Sequence, residues 1–174
     1  MNREFLGDSY DILKRFWAKS LRSIAPLYAH ERFVPQEISA AYTSITSIPI
    51  LVTGSPPNEP FGILLDPDKG IRCPTHPLKS ATISHASLPF IVMTEEELSP
   101  YYMVCFDQSF GRCTAELRAQ QRNAKRQFLY ERGIGSFYYV SHAPFLFMAR
   151  RADVIDRLRG RLLSLGITTH RIDP

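Results

Sequence analysis

At 174 residues, with 44% hydrophobic and 22% charged side chains, the chain has the length and composition of one folding unit with a real core, which excludes wholesale disorder and fibrous classes. No apolar run approaches the roughly 20 residues of a bilayer-spanning helix, because Pro, Lys, Arg or Glu interrupts each one. Formal net charge is +4, an excess so mild that its placement tells more than its size.

The opening MNREFLGDSYD carries charge at positions 3, 4, 8 and 11 and lacks the apolar stretch of a secretory signal, so a cytoplasmic protein is expected. Cys73, Cys105 and Cys113 have no CxxC spacing and read as reduced thiols, with a Cys105–Cys113 bridge as the alternative.

Helical spacing of Ile12, Leu13, Phe16, Trp17, Leu21 and Ile24 predicts a helix from about Ser9 to Ile24, capped by Asp8 or Ser9, with Lys14, Arg15, Lys19 and Arg22 at the remaining positions. A short helix from Gln36 to Tyr42 follows, then a short buried strand in IPILV. TGSPPNEP is a loop by its Gly and Pro content and a candidate flap. FGILLD reads as a strand, FIVM as a short strand or the approach to a helix, and TEEEL as a turn or two of helix capped by Thr94.

YYMVCFDQS is an aromatic and β-branched strand. A long helix from Thr114 to about Glu131 is stopped by Gly133. SFYYVSH and FLFMARR, separated only by a break at Ala143 and Pro144, form an antiparallel pair. A last helix covers about Ala152 to Leu165, and THRID offers an edge strand. The expected fold is a single α/β domain over residues 1–174: a mixed, partly parallel central sheet with flanking helices and a C-terminal antiparallel strand pair.

Ligands of such sheets collect beyond the carboxyl ends of the strands. Three apolar runs end there in reactive side chains: Asp66 and Asp68, then Asp107, Gln108 and Ser109, then Ser141 and His142. Converging carboxylates favour Mg²⁺ or Mn²⁺, which prefer oxygen ligands, so Asp66, Asp68 and Asp107 are the expected metal ligands, with Asp107 and His142 as the catalytic pair. Asp8 joins that shell if the first helix points its amino end at the strand ends. DPDKG also spells a reverse turn, which would fold FGILLD and IRC into a hairpin with Asp68 at its tip.

From Arg112 to Arg132 six basic residues stand against Glu116 and Glu131. Arg118, Arg122, Lys125 and Arg126 are expected to form a basic helix face for a nucleic acid or another polyanion. DQSFG lacks the first glycine of a nucleophile elbow, and no strand exit carries G-x-G-x-x-G or a Walker lysine loop. These features favour a metal-dependent hydrolase of phosphodiester or phosphate-containing substrates, a class that includes nucleases. One alternative is a noncatalytic module that binds nucleic acid or an acidic partner; a divergent S-adenosylmethionine-dependent methyltransferase, suggested only by LLDPD, is a further one.

Overall fold

The first amphipathic segment folds as α1 (Ser9–Leu21), and its start is set by Asp8, whose Oδ1 accepts the N–H groups of Tyr10 and Asp11 at 2.8 and 3.2 Å. Strand β1 (Leu27–His30) follows, then α2 (Ser39–Thr46), β2 (Ile50–Leu51), β3 (Gly62–Leu65) and α3 (Leu88–Leu98). The second half comprises β4 (Tyr102–Phe106), α4 (Ala115–Tyr130), β5 (Gly135–Tyr139), β6 (Phe145–Ala149), α5 (Ala152–Ser164) and β7 (Ile172–Asp173). The computed structural model describes residues 6–52, 54–72, 84–110 and 113–173, so Cys73 lies outside the described residues. None of the described helices is long and apolar enough to cross a membrane.

Among the described residues the strands form one seven-stranded sheet in the order β2-β1-β3-β4-β6-β5-β7. β2, β1, β3 and β4 run parallel, whereas β6 runs antiparallel to both β4 and β5. This is the mixed α/β sheet expected, with the strand pair 135–149 antiparallel. β3, β4 and β6 are buried along their whole length, which is why they read as unbroken apolar runs rather than alternating ones.

Side chains of α1, α2 and α5 cover one face around Trp17, Tyr42, Phe147 and Leu158. Those of α3 and α4 cover the other around Ile91, Leu129, Met103 and Tyr138. The edges of four aromatic rings, Phe16, Tyr139, Phe145 and Phe147, meet Trp17. Gly62 pairs with Tyr102, and the Tyr102 ring occupies the place a β-carbon at 62 would take. The Tyr102 hydroxyl donates to the Ala25 carbonyl at 2.9 Å, tying the chain ahead of β1 to β4.

Three expectations change, and one strand is new. The short helix starts later, at Ser39, behind a single 3₁₀ turn at Gln36–Ile38. LYAH, in a polar context, becomes a strand because β2 and β3 pair with it on either side. FIVM and TEEEL belong to one helix, α3, capped by Ser87 rather than Thr94 and carrying Pro89 in its first turn, where a missing N–H costs nothing. No hairpin forms at DPDKG, since β3 pairs with β1 and β4 and Ile71 instead bridges Ala86. Cys105 and Cys113 are free thiols.

His30 ends β1 with its ring packed between Phe33 and Phe90, and its Nδ1 accepts the Arg32 N–H at 3.1 Å. Burial lowers its pKa below the ordinary 6.5, Glu31 opposing and Arg32 adding to the effect. A depressed histidine contributes stability that is complete above about pH 6.5 and is lost as pH falls through the folded-state value. His30→Asn keeps a side-chain acceptor for the Arg32 N–H and removes the titration. Urea midpoints measured from pH 7.5 down to 5 should therefore fall less steeply in His30→Asn than in the wild type.

Candidate functional site

β1, β3, β4 and β5 all end at the same edge of the sheet, because β5 and β4 are each antiparallel to β6. Leu65 pairs with Cys105, so Asp66 stands level with Phe106 and Asp107 one residue further on. Successive strand residues point to opposite faces. Leu64, Val104 and Phe106 lie in the core under α1, α2 and α5, whereas Leu65, Met103 and Cys105 lie in the core under α3 and α4. Asp66 therefore turns toward α1 and Asp107 toward α4.

The expected grouping of Asp66 and Asp107 as ligands of one metal is corrected on this ground: the pleat separates them, and each carboxylate meets a lysine of its own.

Asp107 is fully buried and saturated. Its Oδ1 accepts the Ile71 N–H at 2.8 Å, the Ser109 N–H at 3.2 Å and the Ser109 hydroxyl at 2.6 Å. Its Oδ2 accepts Lys125 Nζ and the Tyr138 hydroxyl, both at 2.7 Å. Five donors fill the lone pairs a carboxylate offers, which leaves no capacity for an ion. Lys125 also donates to the Ser109 hydroxyl at 2.6 Å and sits 4.3 Å from the Phe110 ring centre. Burial, and then the Asp107 charge, push the Tyr138 hydroxyl well above its ordinary pKa, so it stays a donor. Gly70, at φ +86°, lies so close to Asp107 that a β-carbon would overlap the carboxylate.

The opposite face is open. A cavity of about 190 Å³ lies between the amino end of α1 and the exit of β3, lined by Asp8, Tyr10, Lys14, Asp66, Asp68 and Gln108 with Pro67 and Phe106 behind. Lys14 Nζ donates to Asp66 Oδ2 at 2.7 Å and to Asp11 Oδ1 at 2.8 Å. The second Asp11 oxygen accepts the Gly7 N–H at 2.7 Å.

Burial alone would lower the Lys14 pKa, but Asp66 and Asp11 outweigh it and the net displacement is upward, so the ammonium is held charged. Burial raises the Asp66 pKa against the pull of Lys14. An ammonium has three N–H donors, and among the described residues the third finds no acceptor. The fully buried Tyr42 hydroxyl is pushed well up by burial and by the neighbouring Asp66 and Asp11 carboxylates.

Asp66 and Asp68 thus share one cavity, and Asp8 joins them because α1 points its amino end at the strand exits. His142 is exposed in the β5–β6 link, and its ring centre lies 6.2 Å from that of Tyr10, which stands between it and the cavity. Ser141 braces that link, bonding the Ala143 N–H at 3.0 Å and the Ala143 carbonyl at 2.9 Å. Among the described residues no three His, Cys, Asp or Glu side chains are gathered closely enough to form a ready metal cage.

The four cations of α4 do not form one solvent face. Lys125 is sealed against Asp107, Arg122 pairs with Asp173, and Arg126 bonds the Ser136 carbonyl and Asn123, leaving Arg118 exposed. The residue missed in the sequence is Lys14. Its signal was the stripe of Lys14, Trp17 and Leu21 at spacings of three and four, which puts a lysine on the buried side of α1.

Comparison with protein-family models, curated proteins and solved structures returns no match.

Removing one partner of a buried, hydrogen-bonded ion pair leaves the other charge uncompensated and costs about 3–5 kcal/mol. Lys125→Met should lower stability by that order in urea denaturation. Arg118→Ala, on the exposed side of the same helix, should stay within about 0.5 kcal/mol of the wild type.

Proposed function

We propose that the chain is a divalent-metal-dependent hydrolase of phosphate esters whose site is the cavity between α1 and the end of β3. One observation carries this reading: the cavity joins the Lys14 ammonium, one of whose donors has no acceptor among the described residues, to the carboxylates of Asp8, Asp66 and Asp68. Mg²⁺ is commonly held by one or two carboxylates together with waters and substrate phosphate, so no preassembled cage is needed.

In the proposal Asp8, Asp66 and Asp68 would hold the ion, which would polarise the phosphate, and the Lys14 N–H left over among the described residues would donate to a phosphoryl oxygen as negative charge builds there. Asp107 anchors the neighbouring strand and takes no part as a ligand. His142, whose ring lies beyond Tyr10, is given no metal-ligand role.

The noncatalytic reading draws on the likeness of the two lysine–aspartate pairs, since the Lys125–Asp107 pair is sealed and purely architectural. Calorimetry with Mn²⁺ separates the two. Asparagine caps a helix as well as aspartate, so Asp8→Asn removes charge while keeping α1 in place.

The double variant Asp8→Asn, Asp68→Asn should weaken Mn²⁺ binding at least about tenfold. Lys14→Met should lower metal-dependent turnover of bis-p-nitrophenyl phosphate by about 10²-fold, the usual effect of losing one transition-state donor. Wild-type protein that takes up no Mn²⁺, or turnover that persists in EDTA, would reject the assignment.

A further inference from the structure

The polar face of α1 carries a second feature, unrelated to the buried pair. Arg15, Lys19 and Arg22 are exposed at spacings of four and three, so they share one side of the helix. They line a groove of about 580 Å³ with Pro26, Tyr28 and Pro49, at the end of α1 away from Asp8. No acidic side chain lines this groove, and among the described residues none of the three cations forms an ion pair.

Lys19 and Arg22 stand at the carboxyl end of α1, where the helix dipole favours cations. That does not account for Arg15, which sits mid-helix, and cations three and four apart repel one another. The arrangement is therefore not a stabilising device of the helix. The contrast with α4 is direct: Lys125, Arg122 and Arg126 are engaged by Asp107, Asp173 and Ser136, whereas Arg15, Lys19 and Arg22 of α1 have no ion pair among the described residues.

We propose that this groove binds the phosphate backbone of single-stranded nucleic acid. Three cations spread over two turns of helix face a polyanion whose charges recur at similar spacing. They line a concavity, not a projecting ridge that could enter the major groove of a duplex. The surface is distinct from the cavity and does not depend on what the cavity does.

The test is fluorescence anisotropy with a labelled 12-nucleotide oligodeoxythymidine in EDTA, which reads this surface whether or not the phosphoesterase reading holds. Three released counterions on a single strand give a slope of about −2 in log K against log salt, so affinity should drop about 20-fold between about 50 and 200 mM salt.

The variant Arg15→Ala, Lys19→Ala, Arg22→Ala changes only exposed side chains, and circular dichroism should show it folded. It should lose most binding and most of the salt slope, while Arg118→Ala binds as the wild type does. Triple-variant binding equal to the wild type would overturn the proposal. So would preference for the matching duplex, or binding confined to phosphatidylserine vesicles.

Discussion

A pleated strand turns neighbouring residues to opposite faces, and at the carboxyl edge of this sheet that alternation decides what the acidic side chains can do. Leu65 and Cys105 are in register, so Asp66 and Asp107 leave adjacent strands on opposite sides. A carboxylate so placed is buried and needs a counter-charge, which a helix supplies on each face: Lys14 from α1 and Lys125 from α4. Buried ion pairs contribute little net stability against an apolar substitute, but breaking one is expensive. Here the two pairs set where α1 and α4 lie against the strand ends.

The pairs differ in how completely they are satisfied. Asp107 takes donors from Ile71, Ser109, Lys125 and Tyr138, and the close approach of Gly70 closes the arrangement from above. Lys14, by contrast, faces a cavity with a donor left over among the described residues, and Asp8, Asp68 and Gln108 also line it. Saturation closes one pair off, and incompleteness leaves the other facing a cavity. Burial acts on both, but only the open site has room for a partner from solution.

Charge is also sorted along α1 rather than across the molecule. Its amino half gathers Asp8, Asp11 and Lys14 beside Asp66, and its carboxyl half displays Arg15, Lys19 and Arg22 over a groove near the starts of β1 and β2. A net charge of +4 hides this, because opposite signs occupy different ends of one helix. On α4 the cations that looked most conspicuous in the sequence are largely internal to the fold.

Much of the architecture was legible in the sequence because it follows from local physics. Apolar runs marked β3, β4 and β6, helical periodicity marked α1, α4 and α5, and Thr114, Gly133 and Gly166 punctuated their ends. The short β1 and the start of α3 were not legible, since LYAH is a strand only by virtue of neighbours on both sides and Ser87 caps a helix that begins with Pro in its first turn. Aspartates at strand exits were visible too. Which face each one takes depends on the register between β3 and β4, set by backbone hydrogen bonds between segments some 40 residues apart. The sequence determined by itself the elements and the acidic edge; the tertiary structure alone decided that Asp66 and Asp107 part company, because facing is a property of paired strands and not of either strand alone.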